Sequence, residues 1–160
     1  MEPTFEAVVE RYSAPLYRLA YSWCGNREDA EDVLQEVFLK YLRKKPRFVE
    51  ETQRRAWLMT VTVNGCRDLL RSRSRRRTVP MESAAALAAP EAEKHPEVAE
   101  ALASLPPPDR VMVYLFYYES LPTREIARTL GTTEGAVRTR LTRARGKLHD
   151  LLGGNDDAEG

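Results

Sequence analysis

The stretch 121–148, LPTREIARTLGTTEGAVRTRLTRARGKL, is the feature that most constrains how this chain can fold. Apolar residues at helical spacing predict a short helix over 123–130 and a longer helix that begins after Thr132 or Thr133. Gly131 lies between them, and glycine readily takes the positive φ that ends a helix and turns the chain sharply. Two helices joined by so tight a turn predict a helix-turn-helix.

Hydroxyl side chains stand where each of these two helices should begin. Thr123 is expected to cap the first helix, and Thr132 or Thr133 the second, because a threonine oxygen accepts a hydrogen bond from an unpaired N–H of the first turn. Glu134 follows in the first turn of the second helix, where a carboxylate suits the positive end of the helix dipole. The same carboxylate could accept a hydrogen bond from a cytosine amino group.

The second helix of the motif has an apolar side and a basic side. The apolar stripe, which should pack on the first helix, is Val137, Leu141, Ala144 and Leu148. The other sides carry small, polar and cationic residues: Gly135, Arg138, Thr139, Arg140, Thr142, Arg143, Arg145 and Lys147. Small residues allow close approach to a DNA groove, Arg and Thr reach base edges, and flanking cations meet phosphate. We therefore predict recognition of duplex DNA; the alternative is an amphipathic helix whose basic side is only solvated.

Charge is distributed unevenly along the 160 residues, although the formal net charge is only +1. Residues 1–77 carry 16 Lys or Arg and 11 Asp or Glu, a net charge of +5, whereas residues 78–109 carry 1 and 6, a net charge of −5. The Ala-, Glu- and Pro-rich residues 78–97 predict a flexible linker. It would join an N-terminal domain, 1–77, to a C-terminal domain, 98–152, followed by a disordered tail, 153–160.

The N-terminal domain is predicted to be helical. Apolar residues at helical spacing predict a first helix up to Trp23, which Pro15 should kink or divide. Asn26 is expected to cap a second helix, which the Lys45–Pro46 pair should end. The inner face of this second helix is broad and consists of Ala30, Val33, Leu34, Val37, Phe38, Tyr41 and Leu42.

The outward face of the second helix holds one leucine among polar groups. Leu39 is surrounded there by Asp32, Gln35, Glu36 and Arg43. An apolar centre ringed by polar residues is how a small protein-binding patch is built. A single exposed leucine is also ordinary on a protein surface, so the spacing alone leaves both interpretations open.

A third helix is predicted from about Gln53 to Arg73, after a short loop that contains Phe48. Most of its sides are apolar, but one polar stripe remains, formed by Thr60, Asn64, Arg67 and Arg71 with Trp57 at its edge. A ligand along this stripe would explain polar residues in register on such a helix; the alternative is a core helix with one solvated edge. The run 71–77 then places five arginines in seven residues, which predicts contact with phosphate.

The C-terminal domain should contain two helices ahead of the helix-turn-helix. Helical spacing recurs at Val98–Leu105. After three prolines, Asp109 is expected to cap a helix that reaches about Glu119 and packs beneath the helix-turn-helix.

The sequence contains no signature of catalysis or of metal binding. It lacks a glycine-rich phosphate loop, a nucleophile elbow and a Cys/His spacing suited to zinc. Cys24 and Cys66 both lie in apolar helical contexts, which fits a reduced compartment. Neither a signal peptide nor an apolar run long enough to span a bilayer occurs. We therefore expect a cytoplasmic protein without catalytic activity, cofactor, metal or membrane insertion.

Four motifs, in this order, resemble those of the extracytoplasmic-function (ECF) sigma factors. They are DAEDVLQEVF at 29–38, AWL through Asn64 at 56–64, the basic run at 71–77, and EIA, GAVRTR and RAR at 125–127, 135–140 and 143–145. The resemblance covers about residues 5–152 apart from the linker. It implies an all-α fold of two small helical domains joined by a flexible linker, the second a helix-turn-helix. It also implies a promoter-specificity subunit of bacterial RNA polymerase, which recognises −35 and −10 elements and helps to open the promoter.

The resemblance further implies a role for each residue set. The clamp of core polymerase would contact Asp32, Gln35, Glu36 and Leu39. The −10 element would be bound by Phe48, Gln53, Trp57, Asn64, Arg67 and Arg71, with a flipped base held by the loop around Phe48 and read by Asn64 beside it. The −35 element would be bound by Thr133, Glu134, Gly135, Arg138, Thr139, Arg140, Thr142 and Arg143.

The partners implied are core RNA polymerase, through its clamp and flap, and promoter DNA, with an anti-sigma factor as a further one. Outside the holoenzyme the resemblance implies a monomer. The alternative is a stand-alone transcriptional regulator that uses the same helix-turn-helix. Gly65, inside the third helix, departs from the family pattern.

Overall fold

The computed structural model describes residues 2–74 and 96–153, and within them the secondary structure is helical with no strand. The predicted all-α fold is confirmed. The chain divides into two compact units. The first contains α1 (Phe5–Cys24), α2 (Arg27–Lys44) and α3 (Glu51–Ser74), and the second contains α4 (Pro96–Ala103), α5 (Pro107–Tyr117), α6 (Thr123–Leu130) and α7 (Glu134–Leu151). Most of the predicted linker and tail lies outside the described residues, so the domain boundaries stay a prediction.

Helix α1 is continuous, although Pro15 stands in its middle. Thr4 caps the helix by accepting a hydrogen bond from the Ala7 N–H at 3.1 Å. The prediction that proline divides this segment is wrong. Val8 before the proline and Leu16 after it are buried in the same core, and this packing keeps the two halves in one helix despite the missing backbone N–H.

The turns on either side of α2 follow the predicted signals. Gly25 ends α1 with a φ of +80°, and Asn26 then caps α2 by accepting from the Asp29 N–H at 2.8 Å. The buried Asp29 carboxylate in turn accepts from the Asn26 amide at 2.9 Å, so the two side chains hold each other. Lys45 ends α2 in the left-handed conformation, with a φ of +46°.

Gly65 has a packing role in the three-helix unit. A Cβ added to it would lie 3.2 Å from Cγ1 of Val33 on α2, closer than ordinary van der Waals contact. The residue that departs from the family pattern therefore lets α3 approach α2 closely. The largest fully buried aliphatic side chains of this unit are Val8, Leu16, Leu19, Val37, Leu58, Met59 and Val63. Burying each of them contributes roughly 1.5–3 kcal/mol.

The start of α5 differs from the prediction. Asp109 is not its cap, because the helix begins at Pro107 and Pro106 occupies the cap position without a side-chain hydrogen bond. A proline at the first helical position has no N–H to satisfy and a φ already suited to the helix. The Asp109 carboxylate instead pairs with Arg140 of α7 at 3.2 Å.

Helices α6 and α7 form the predicted helix-turn-helix. Gly131 joins them with a φ of +66°, and Thr133 caps α7 by accepting from a first-turn N–H at 3.1 Å. Thr123, however, is the first residue of α6 and not its cap; Pro122 occupies the cap position. The Thr123 hydroxyl donates to Glu134 at 2.9 Å, which ties the start of α6 to the start of α7.

Candidate nucleic-acid and polymerase interfaces

Helix α7 presents one buried and one exposed face, as its sequence predicts. Val137, Leu141 and Ala144 are buried against the other helices of the unit, and Leu148 is half-buried. The exposed set contains Gly135, Arg138, Thr139, Arg140, Thr142 and Arg143, with Thr133 exposed just before the helix and Glu134 half-buried. All eight residues predicted to bind the −35 element thus lie on or beside one helix, seven of them exposed.

Two of the exposed arginines pair with carboxylates. Arg138 lies 2.7 Å from Glu134 one turn earlier, and Arg140 lies 3.2 Å from Asp109 of α5. Both arginine side chains are more than a third exposed, so these pairs are screened by water and each contributes about 0–1 kcal/mol. Exchanging the carboxylate for a DNA phosphate would therefore cost little.

Two further cations of α7 are engaged by the protein itself. The Arg145 guanidinium lies 5.5 Å from the ring centre of Phe116 and 5.8 Å from that of Tyr117. Lys147 donates to the Ser104 carbonyl at 3.3 Å. Arg145, which the sequence suggested as a phosphate contact, thus also fastens α7 to α5.

Arg143 differs from these four cations. Its side chain is exposed, and within residues 2–74 and 96–153 it makes no hydrogen bond, ion pair or ring contact. Gly135 lies on the same exposed side, and a Cβ added there would meet no atom within 4 Å. Packing therefore does not require a glycine at that position, and the bare backbone leaves room for a ligand.

The hydroxyl and carboxylate groups of the same face are partly committed. Thr142 donates to the Arg138 carbonyl at 2.9 Å, and the Thr133 oxygen serves as the cap. Oε1 of Glu134 accepts from both Thr123 and Arg138. Thr139 makes no hydrogen bond within the described part of the chain.

In the three-helix unit, the structure brings together Phe48 and Trp57, two of the residues predicted to bind the −10 element. Their ring centres are 6.1 Å apart with an interplanar angle of 57°, and both residues are half-buried. Gln53 is engaged by the backbone of the same loop, since its Oε1 accepts from the Val49 N–H at 3.0 Å and the Glu50 N–H at 3.2 Å. A glutamine in the third position of a helix that reaches back to free N–H groups in this way is half of a capping box.

The loop before α3 borders a hollow of about 460 Å³. It is lined by Glu2, Pro3, Arg47, Phe48, Val49, Glu50, Glu51 and Arg54. Val49 stands at its rim with 93% of its surface exposed, the largest value among the exposed large apolar residues of the described chain. An aromatic wall beside an open hollow with polar groups suits an unstacked base.

A buried arginine that sequence patterns did not single out lies under this loop. Arg54 donates from Nε to the Tyr41 hydroxyl at 3.1 Å, from Nη2 to Glu2 at 2.7 Å, and from Nη1 to Glu51. Its guanidinium also lies 5.2 Å from the ring centre of Phe48. The only sequence signal was a charged residue on the inner side of a helix that is otherwise apolar there.

The carboxylate that pairs with Arg54 has a second donor. The Tyr12 hydroxyl of α1 donates to Glu51. Burial and this hydrogen bond raise the pKa of Tyr12 to about 12. The hydrogen bond from Tyr12 lowers the pKa of the Glu51 carboxyl. Burial acts in the opposite direction, and the charge of Arg54 lowers this pKa further. The network is therefore ionised at Glu51 and protonated at Tyr12 near neutral pH.

Asn64 does not border the hollow beside Phe48. It is exposed and lines a separate groove of about 400 Å³ between α2 and α3. Asp32, Glu36, Lys40 and Asp68 line the same groove. The structure thus brings the predicted base reader together with two predicted clamp-binding residues.

The cations at the far end of α3 have protein neighbours. The Arg67 guanidinium lies 5.3 Å from the ring centre of Trp23, and the exposed Arg71 pairs with Asp68 at 2.7 Å. The other arginines of the 71–77 run lie outside the residues whose side chains the structure describes. Their predicted contact with phosphate stays a prediction.

The outward face of α2 is more apolar than the sequence predicts. Leu39 is 42% exposed, and Asp32, Gln35 and Glu36 around it are exposed as well. Leu42, assigned to the inner face, is 44% exposed, so that assignment is wrong. Four residues after the buried Phe38, Leu42 lies about 40° further around the helix and outside the arc that the neighbouring helices cover.

No helix within residues 2–74 and 96–153 is long and apolar enough to cross a membrane. The same residues contain no group of three or more His, Cys, Asp or Glu that could hold a metal ion.

Comparison with known proteins follows the division into two units. The family described as Sigma-70 region 2 matches residues 8–76, and the family described as Sigma-70 region 4 matches residues 95–148. The first match contains α2, α3 and the Phe48 loop, and the second contains most of the helix-turn-helix unit. These matches define a sigma factor of the sigma-70 type.

The similarity to individual relatives shows which group of sigma factors includes this chain. The ECF RNA polymerase sigma factor SigM of Mycobacterium tuberculosis is 33% identical, over 93% of this chain and 77% of the relative. SigE of Mycolicibacterium smegmatis is 35% identical over 94% of this chain but only 62% of its own length, and CarQ of Myxococcus xanthus is 32% identical over 95% and 91%. The chain belongs to the ECF sigma factors, the promoter-specificity subunits of bacterial RNA polymerase.

Solved structures share the fold. CnrH, solved in complex with the cytosolic domain of CnrY, superposes with a TM-score of 0.62 at 27% identity, over 98% of this chain and 89% of that one. The sigma factor RpoE from Bartonella quintana, solved with the anti-sigma factor NepR, gives a TM-score of 0.73 at 23% identity, over 92% and 96%.

Proposed function

We propose that this chain directs core RNA polymerase to its promoters by binding the −35 element as duplex through α7 and an opened −10 element through the Phe48 loop and α3. One observation carries the proposal. The exposed face of α7 and the aromatic hollow belong to different units, and each unit matches its own sigma region. The chain would thus supply two DNA sites and no covalent chemistry.

At the −35 element, Arg143 is the foremost candidate for base recognition. Its guanidinium is exposed and has no partner within residues 2–74 and 96–153, so it can donate two parallel hydrogen bonds to O6 and N7 of a guanine in the major groove. Such a bidentate contact discriminates against a wrong base by about 1–3 kcal/mol. Arg138 and Arg140 would exchange their exposed carboxylates for phosphate or base edges, and Gly135 would allow close approach of the backbone.

At the −10 element, the hollow beside Phe48 would hold a base that has left the stack. Unstacking and unpairing cost a few kcal/mol, and stacking on an aromatic ring returns about 1–3 kcal/mol per base. Trp57 supports the Phe48 ring, and Gln53 orders the loop through its backbone N–H groups. Asn64, on the α2–α3 groove, would contact a different part of the displaced strand.

The clamp of core polymerase would bind the outward face of α2. Leu39 and Leu42 give this face an apolar centre, and Asp32, Gln35 and Glu36 give it a polar rim. Fully desolvated apolar centres carry most of the energy of small interfaces. The groove that Asp32 and Glu36 share with Asn64 begins at the edge of this surface, so polymerase and promoter would be bound side by side.

Further partners and the compartment are part of the same proposal. The protein would act in the cytoplasm, as a monomer outside the holoenzyme, and without a cofactor. It would contact the polymerase flap through its C-terminal unit. An anti-sigma factor would hold it inactive; CnrH, of similar fold, was solved in complex with the cytosolic domain of CnrY.

Run-off transcription with purified core polymerase and a promoter library tests the proposal. We expect transcripts from a defined subset of promoters, only when this chain and core polymerase are both present. A stand-alone regulator would instead bind specific DNA without core polymerase, and its mixture with core polymerase would give no promoter-specific transcript. That result would overturn the sigma-factor assignment in favour of the regulator.

A further inference from the structure

Arg54 is the buried charge at the centre of the polar network under the Phe48 loop, with only 3% of its surface exposed. A guanidinium removed from water is tolerated only where its donors are matched by acceptors. Here three different nitrogens reach three different partners: Tyr41, Glu2 and Glu51. The fourth contact is the face of the Phe48 ring, at 5.2 Å.

These four partners come from four separate segments of the unit. Tyr41 lies in the last turn of α2, and Glu51 is the first residue of α3. Phe48 lies in the loop between them, and Glu2 precedes α1. Glu2 and Phe48 both line the hollow, as Arg54 itself does. One side chain therefore holds two sides of the hollow in place.

We propose that Arg54 is a positioning residue for base capture, which holds the Phe48 loop and the N-terminal Glu2 around the hollow before DNA arrives. This inference rests on the −10 function proposed above. Arg54 would not contact the base; it would act through the ring of Phe48 and through the segment ahead of α1. The loop is then already ordered when the protein folds. Its ordering therefore adds nothing to the free-energy cost of opening the promoter.

Fold stability alone does not require this arrangement. A buried ion pair is often replaced by apolar residues of similar size without loss of stability. The three-helix core contains its own set of fully buried aliphatic residues. Only an arginine, however, presents several nitrogens in a fixed fork, and a lysine ammonium has one nitrogen to offer. The hydrogen bonds of Arg54 therefore suit a role in fixing the geometry of the hollow.

The test measures how much a captured base contributes to binding. Holoenzyme is titrated with a promoter already mismatched across the −10 element, in which one non-template base at a time is replaced by an abasic site. The affinity for the promoter with the base present, divided by the affinity for the promoter with the abasic site, reports base capture at that position. This ratio is insensitive to general loss of folded protein. We expect Arg54→Lys to reduce this ratio about tenfold or more, as loss of hydrogen bonds to charged groups does.

Tyr12→Phe is the matched control, because it removes another hydrogen bond from Glu51 without touching Phe48. It should change thermal stability but leave the base-to-abasic affinity ratio within about twofold of wild type. A change of about twofold corresponds to less free energy than the loss of one hydrogen bond. Glu2→Gln, at a residue before α1, should lower the ratio in the same direction as Arg54→Lys without unfolding the helices.

The outcomes are distinguishable. An unchanged ratio in Arg54→Lys, or an equal loss in Arg54→Lys and Tyr12→Phe, would overturn the positioning role while leaving base capture intact. If the wild type shows no position at which the abasic site weakens binding, and Phe48→Ala changes nothing, the −10 function itself is wrong.

Discussion

Thr123 at the start of α6 donates its hydroxyl hydrogen to Oε1 of Glu134 at the start of α7, across 2.9 Å. The same oxygen accepts from Arg138 at 2.7 Å. Glu134 therefore belongs to the frame of the helix-turn-helix as well as to its exposed face. A cytosine amino group would have to share this carboxylate with two protein donors.

The first prediction follows from that bond. Thr123→Val should destabilise the C-terminal unit by about 0.5–1.5 kcal/mol, the usual net contribution of one hydrogen bond. Thr139→Val is the control, because Thr139 is exposed and makes no hydrogen bond within the described residues. Urea denaturation followed by circular dichroism measures both. Equal stability of the two variants would show that the Thr123 bond does not hold the motif together.

The second prediction separates two arginines of α7. Arg143→Ala should leave stability unchanged and lose about 1–3 kcal/mol of discrimination at one base pair of the −35 element. Arg145→Ala should weaken binding evenly across sequences and flatten its salt dependence. It should also destabilise the unit by about 0.5–1 kcal/mol, because the stacking on Phe116 and Tyr117 is lost. Binding of both proteins to single-base variants of the promoter, at two salt concentrations, measures these effects. Identical profiles for Arg143→Ala and Arg145→Ala would refute the distinction between the two arginines.

The third prediction concerns the outward face of α2. Leu39→Ala combined with Gln35→Ala should weaken binding to core polymerase while helicity stays the same, because both side chains are exposed. Leu42→Ala should add to the loss. Leu151→Ala is a matched control, since Leu151 is 52% exposed but lies in the other unit. Retained core affinity in a pull-down of the double variant would exclude this surface as the clamp site.

The fourth prediction takes Asn64. Asn64→Ala should leave folding and −35 duplex binding intact, because the side chain is exposed, and should slow opening of an ordinary duplex promoter. A promoter already mismatched across the −10 element should restore part of the rate, since the cost of opening no longer falls on the protein. Permanganate footprinting of both holoenzymes on both templates measures this. Equal opening on the duplex would mean that Asn64 is only a solvated residue of the groove.

The fifth prediction is the pH dependence of the first unit. Because the pKa of Glu51 is lowered on folding, its contribution is present above the ordinary value of 4.5 and is lost as the pH falls through the folded-state value. Because the pKa of Tyr12 is raised to about 12, stability should also fall as the pH rises from 10.0 towards that value. Glu51→Gln should flatten the acid limb of stability against pH and Tyr12→Phe the alkaline limb. Unchanged limbs in denaturation series would contradict the network.

Much of the local structure of this protein follows from its sequence alone. The glycine turn of the helix-turn-helix, the Asn26 and Thr133 caps and the break at Lys45 are each determined by a few neighbouring residues. Such signals depend on backbone sterics and on unpaired N–H groups, which act over one or two turns of chain. The same holds for the face of α7, because a helix fixes the direction of each side chain about its axis.

Only the tertiary structure decided what depends on distant residues. The sequence has nothing local that brings Glu2 to Arg54, places Asn64 on the α2–α3 groove instead of beside Phe48, or leaves Leu42 outside the core. Thr123 was predicted as a cap, yet its hydroxyl donates to Glu134, which lies 11 residues further along the chain. These contacts depend on which sides of a helix are covered by its neighbours and on which acceptors lie near a buried charge. A helical pattern specifies that a face is available, and the packing of the other helices specifies what meets it.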